Sequence, residues 1–220
     1  QVTKVDLSGG RAVPSDVAVL VIAAPDRKFA SWEKFLIDQY LMKGGRVAFF
    51  LNKVGITLQG QTGRPLDLGL DDMLASYGVR VSTDLVRDRS CAYVTVSQQA
   101  GFMVIQNQIP FYYLPRASNF EEANPLVRGL NSVVLYFASS IDTGLARSKG
   151  LNARVLLRSS GESGRQENVF MVDPTTPVTK DMFAEKGIPL VVTVEGSFVS
   201  SFASVPVELD STVTSPIDTA

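Results

Sequence analysis

Histidine is absent from this 220-residue chain, and cysteine occurs once, as Cys91. Without an imidazole that titrates near neutral pH, neither a Ser–His–Asp nor a Cys–His relay can be assembled from these residues. Zinc sites of the usual Cys/His type are excluded for the same reason. A lone cysteine forms no internal disulfide and leaves the redox compartment open. Excess charge is lacking too: 21 Lys+Arg stand against 22 Asp+Glu, a net charge of −1. That balance gives no electrostatic footprint for nucleic acid or for an anionic membrane as main partner. No apolar run approaches the roughly 20 residues that span a bilayer. Because the chain opens on Gln1, any membrane anchor is expected in segments outside it.

What is present is 45% hydrophobic and 20% charged, the balance of a globular chain long enough for a substantial core. The stretch from Asp16 to Asn52 reads as one β–α–β unit. Val17–Ala24 is a continuous apolar run, as expected of a strand buried on both faces of a parallel sheet, and Pro25 ends it. Ser31 is placed to cap a helix with Glu33 in its first turn, and Gly44-Gly45 supplies the left-handed stop. Arg46–Leu51 is the second strand. The turn between, Pro25-Asp26-Arg27-Lys28, has no glycine loop to hold a phosphate.

Further along, Val2–Leu7 alternates like a leading strand, and Val54–Leu68 reads as a glycine-rich loop. Leu70–Tyr77 is a short helix closed by Gly78. Ala92–Leu114 is β-like, Val133–Ala138, Arg154–Leu157 and Leu190–Val194 are strands, and Ser159–Glu167 is a polar loop. Asp181–Glu185 makes one helical turn. The expected architecture is an α/β three-layer αβα sandwich on a mostly parallel sheet, with added β segments in the second half. One domain is expected over 1–203, followed by a polar tail or linker at 204–220.

Several residue groups are candidates for chemistry, each with a plainer reading. Arg87 and Arg89 flank Cys91 and could lower a thiol pKa, yet no base stands by to activate it. Ser139, Ser140 and Asp142 follow an apolar strand, where open α/β sheets place ligands, with Pro25 and Asn52 at the same expected edge. Turn capping is the plainer role for the serines and Asp142, and a Ser–Lys pair with Lys149 rests on residue type alone. Gly60-Gln61-Thr62-Gly63 leads into Arg64-Pro65, not into a helix, so it reads as a turn. Asp71-Asp72 falls at a helix start and Glu121-Glu122 in a loop, so no metal and no cofactor is expected. The helix at 31–43 is apolar on two sides. Leu36, Ile37, Tyr40 and Leu41 face the sheet, while Trp32, Phe35 and Met42 need a second cover. That cover is either another part of this chain, such as Phe111–Tyr113, or a partner.

Four segments together resemble the accessory proteins of gliding-motility-associated ABC transporters, the GldG type. They are VLVIAAPDRKFASWEKFLIDQYLMKGGRVAFFLN, LDDMLASYGVRVSTDLVRDRSCA, NPLVRGLNSVVLYFASSID and LVVTVEGSFVSSF, in that order. The resemblance implies a flavodoxin-like or class I glutamine-amidotransferase-like sandwich without amidotransferase chemistry. It implies a non-enzymatic extracytoplasmic domain on the periplasmic face of a bacterial inner membrane, anchored through the parent protein. The partners implied are a transporter permease or ATPase, with homo-oligomerisation open. It also marks Glu195 and Phe198 as a contact. Two other readings stay open: a degenerate amidotransferase-like hydrolase, and a receptor domain for a small ligand such as a sugar or peptide.

Overall fold

The computed structural model describes residues 2–7, 10–100, 102–204 and 206–207. Strand β1 (Leu20–Ala23), helix α1 (Ser31–Met42) and strand β2 (Val47–Phe50) form the β–α–β unit, the strands pairing parallel from Leu20↔Val47 to Ala23↔Phe50. The helix start differs in detail from a Ser31 cap. Ala30 is the capping residue, and its N–H donates to Glu33 Oε2 at 2.9 Å. Arg27 holds the same carboxylate at 2.6 Å. Gly44, at φ +88°, provides the left-handed stop.

The expected mostly parallel αβα sandwich does not form. Strands account for 37% of the structure and helices for 14%, and the strands lie in several antiparallel sheets. A hairpin of β3 (Val54–Thr57) and β4 (Thr62–Pro65) occupies the stretch read as a loop, with Gln61 in its turn at φ +50°. Short α2 (Asp71–Ser76) and β5 (Arg80–Val81) lead to β6 (Asp84–Asp88). A long hairpin follows, β7 (Cys91–Ala100) with β8 (Met103–Ala117). Then come β9 (Asn119–Phe120), β10 (Val133–Val134), β11 (Ile141–Asp142), α3 (Gly144–Ser148) and β12 (Asn152–Arg158). Last are β13 (Ser163–Glu167), β14 (Phe170–Met171), a 3-10 turn at Lys180–Phe183 and β15 (Pro189–Glu195). The pairs β12–β15, β6–β13, β14–β4 and β8–β10 are all antiparallel.

The physical reason is the shortage of crossovers. A parallel neighbour needs a connection of a dozen or more residues, usually helical, and after α1 the helices have only six and five residues. The β1–β2 pair also contradicts burial on both faces. Leu20 is buried and Ile22 half-buried, whereas Val21 and Ala23 are exposed. An apolar run marks a strand but does not say whether a second layer covers it. No strand forms at 2–7, and the Val133–Ala138 run is regular strand only at Val133–Val134, although the Leu135 and Phe137 N–H groups still donate to the Pro115 and Tyr113 carbonyls. The Ser159–Glu167 loop is half strand, since β13 starts at Ser163. The expected tail at 204–220 lies outside the described residues except at 204, 206 and 207.

Three apolar clusters make the interior. The first joins α1, α2 and β1 through Ile37, Tyr40, Leu68, Leu70 and Leu74. The second gathers Val54, Leu85, Phe111, Tyr113 and Phe170. The third gathers Val86, Ala117, Leu157 and Leu190. Strand β6 links the last two, with Leu85 and Val86 both at 0% exposure.

Candidate functional site

The carboxyl end of β1–β2 does gather several of the sequence candidates. Asn52 donates from Nδ2 to the Tyr136 carbonyl at 3.4 Å, and Lys53 N–H donates to Ser139 Oγ at 3.3 Å. Pro25 follows Ala24, whose N–H donates to the Phe50 carbonyl at 2.9 Å. Ala24 and Phe137 both hold positive φ, 44° and 53°, so the backbone is strained on either side of this edge. The serines, however, are occupied. Ser139 Oγ donates to the Asp84 carbonyl at 2.9 Å, and Ser140 donates its N–H and hydroxyl to the Asp84 carboxylate at 2.8 and 2.5 Å. Lys149 is an exposed residue at the end of α3 and is not their partner. Asp142 is exposed and accepts from Gly144 N–H at 2.8 Å, which is turn capping. Glu195 is exposed at the end of β15.

Burial pushes the Asp84 carboxyl above the usual carboxylate range, against the opposing hydrogen bonds from Ser140. The folded state therefore keeps this proton to higher pH than the unfolded chain does. Stability from this group falls as pH rises above the unfolded value of 3.8 and levels off beyond the raised folded value. Asp84→Asn is expected to remove that decline. Urea midpoints measured from about pH 4 to about pH 7 should fall less steeply in the variant than in the parent.

The second apolar side of α1 is closed by the chain itself. Trp32 is buried, Phe35 meets Phe202 edge to face with centroids 5.4 Å apart, and Met42 packs on the first cluster. Phe111 and Tyr113 belong to the second cluster instead. Phe198 meets Tyr77 at 5.5 Å. Between these aromatic contacts lies Asp38, fully buried on α1. It accepts from Tyr77 Oη at 2.6 Å, Ser200 Oγ at 2.7 Å, Ser201 N at 2.8 Å and Ser201 Oγ at 2.9 Å. Burial and the hydrogen bond to Asp38 hold the Tyr77 phenol well above its ordinary pKa. Sequence reasoning passed over Asp38, although a signal existed. It is the lone acid at Phe35+3 and Met42−4, on an otherwise apolar stripe, and such a residue needs buried donors.

Other polar side chains are equally committed. Asp88, fully buried, accepts from Ser90 N–H at 2.8 Å and Ser160 N–H at 2.7 Å. Lys53, buried on its stem, reaches both Asp71 oxygens at 2.8 Å. Among the described residues no group of acidic or cysteine side chains could hold a metal. Beside Arg87, Tyr113 and Asp173 lies a cavity of about 20 Å³, room for a water molecule. Cys91 is buried, and that burial raises its thiol pKa, the Phe111 backbone hydrogen bond opposing it. Arg89 does not activate it, being paired with Glu162 at 3.2 Å and stacked on Phe183. Native protein is expected to react with a thiol reagent such as dithionitrobenzoate at least about a hundredfold more slowly than unfolded protein. Equal rates would contradict this burial.

What remains uncommitted is surface. On the outer face of β1–β2, Val19, Val21 and Phe50 are 46, 56 and 63% exposed, and Tyr136 beside Asn52 is 66% exposed. Contiguous apolar exposure of this kind marks contact sites on soluble domains. Among the described residues no helix is long and apolar enough to cross a membrane.

No curated protein matches this chain significantly. A solved structure named the mmIFT52 N-terminal domain is similar at 17% identity with a TM-score of 0.43, covering 67% of this chain and 54% of that one. A family model described as ABC-type uncharacterized transport system matches residues 1–217. The chain therefore belongs to the family of ABC-type uncharacterized transport system auxiliary components.

Proposed function

We propose that this chain is a non-enzymatic contact module of the GldG type, working as a single domain over 1–203. In this reading it acts on the extracytoplasmic face of a bacterial inner membrane, bound to a permease or ATPase of its transport system. One observation carries the proposal: among the described residues, the serines, cysteine and buried acids named above are tied into the structure. Ser139 and Ser140 bond Asp84, Asp38 gathers the 198–202 segment, and Cys91 is buried. The apolar face at Val19, Val21 and Phe50 is left uncovered. A transporter subunit is the occupant we assign to it, with Pro25 and Asn52 at its rim.

The test is crosslinking in membranes that carry the full-length parent protein and its transporter. A photo-crosslinking residue placed at Val19, 46% exposed on the same face, is expected to capture permease or ATPase. Val21→Glu combined with Phe50→Glu should cut that yield at least tenfold without lowering the melting temperature, because both side chains are largely exposed. Capture unaffected by the double substitution would defeat the assignment of this face.

A further inference from the structure

We infer that the far end of the β7–β8 hairpin is a lipid-contacting arm that seats in the interfacial layer of a bilayer. The hairpin pairs in register from Ala92↔Phe111 to Ala100↔Met103. At its base Ala92 and Val94 rest on the Val54–Leu85 cluster. Beyond that base nothing supports it among the described residues: β7 pairs only with β8, and β10 reaches β8 only at Arg116 and Ala117. The ribbon therefore projects from the body with both edges unpaired.

Its chemistry is unusual for such an edge. Natural edges are protected by charges, above all lysine, yet no Asp, Glu, Lys or Arg occurs between Cys91 and Pro115. At the end, Phe102 is 110% exposed, and Met103, Val104 and Ile105 are 69, 65 and 45% exposed. Met103 and Ile105 project from one face of the ribbon and Val104 from the other. Gln99 and Gln98 stand across the ribbon from Val104 and Ile105, and behind them Gln106, Asn107 and Gln108 present further uncharged amides.

These features select the occupant. A second copy or a partner sheet packs on one face and leaves the other in water, whereas apolar groups on both faces match a medium that surrounds the tip. One face of the distal ribbon measures roughly 20 by 10 Å, about 200 Å², small against the roughly 800 Å² per partner of a standard interface. The apolar tip is about 10 Å deep at roughly 3.3 Å per residue. That matches the roughly 5–10 Å to which interfacial segments embed. Unpaired edge N–H and C=O groups stop it going deeper, since hydrocarbon cannot satisfy them. The amides behind the tip then sit among the headgroups. With no charge on the arm, contact relies on apolar burial and needs neither anionic lipid nor low salt. Lipid contact here is independent of the β1–β2 face, so failure of either assignment leaves the other standing.

The experiment uses the whole chain with extruded vesicles of pure phosphatidylcholine. Protein is expected to float with the vesicles to the same extent at low and high salt. Phe102→Trp should show blue-shifted emission on mixing, quenched by lipids brominated near the top of the acyl chains, after subtraction of the Trp32 background. Met103→Asp with Ile105→Asp should reduce partitioning at least tenfold with an unchanged melting temperature. Should that pair melt early, the single exposed substitution Val104→Asp carries the same expectation. The inference is overturned by absence of flotation, by binding that requires anionic lipid, or by partitioning indifferent to these variants. An arm-dependent dimer in sedimentation equilibrium without vesicle binding would overturn it as well.

Discussion

Asp38→Ala is expected to destabilise the protein by roughly 3–5 kcal/mol, since several buried donors lose one shared acceptor at about 1–3 kcal/mol each. The carboxylate is 0% exposed and accepts from Tyr77 Oη, Ser200 Oγ, Ser201 N and Ser201 Oγ between 2.6 and 2.9 Å. Removing it strands those donors and opens a void between α1, α2 and the 198–202 segment. For a chain of this size the change corresponds to a fall of about 6–20 °C in melting temperature. Tyr77→Phe deletes one donor and keeps the acceptor, so it is expected to cost only about 1 kcal/mol. Urea unfolding of the three proteins checks this. Hydrogen exchange at 200–202 reports whether the segment is released before the rest. An Asp38→Ala midpoint equal to the parent's would mean that the carboxylate is not the tie between helix and segment.

Gly164→Ala should be nearly as damaging, for a reason of space and not of backbone freedom. A Cβ built on Gly164 would overlap the carbonyl oxygen of Met182, which is backbone and cannot swing aside. Strand β13 would have to withdraw from the 3-10 turn at Lys180–Phe183. That would disturb the Ser163–Glu185 bridge, with its N–H to O distances of 2.9 and 2.8 Å, and the Arg165–Glu185 pair at 2.8 Å. Overpacking of this kind costs about 1–3 kcal/mol, and the upper end applies where backbone meets backbone. Gly161 is the control: a Cβ there meets nothing within 4 Å, so Gly161→Ala is expected to leave the urea midpoint unchanged. A matching loss in both variants would mean that residue type, not contact with Met182, sets the effect.

Local signals were legible for helices and tight turns, but not for the β3–β4 hairpin, which read as a loop. The β–α–β unit followed from an apolar run, Glu33 and Gly44. Helix α2 followed from the spacing of Leu70, Met73, Leu74 and Tyr77, and the Gly60–Gly63 turn from the want of a following helix. The candidate edge was legible in part. Asn52 and Ser139 do lie at one edge, Ser139 accepting from the Lys53 N–H next to Asn52, but the partner that occupies Ser139 and Ser140 is Asp84, more than fifty positions away. No periodicity reports such a partner. Some cover over Phe35, from this chain or a partner, was expected from the amphipathic pattern, whereas its source, Phe202 and not Phe111–Tyr113, could be found only by folding the chain.

By itself the sequence determined the chemistry that is unavailable, namely any imidazole relay or Cys/His zinc site, and the short-range elements whose hydrogen bonds close within a few residues. Tertiary structure decided the rest. It made every described sheet except β1–β2 antiparallel, left one face of β1–β2 bare, knotted Asp38 to the 200–201 serines and set the uncharged hairpin apart from the body. The division has a physical cause. A helix satisfies its backbone within its own span, but a strand must borrow partners from distant segments. An apolar side chain, for its part, carries no mark of what will cover it.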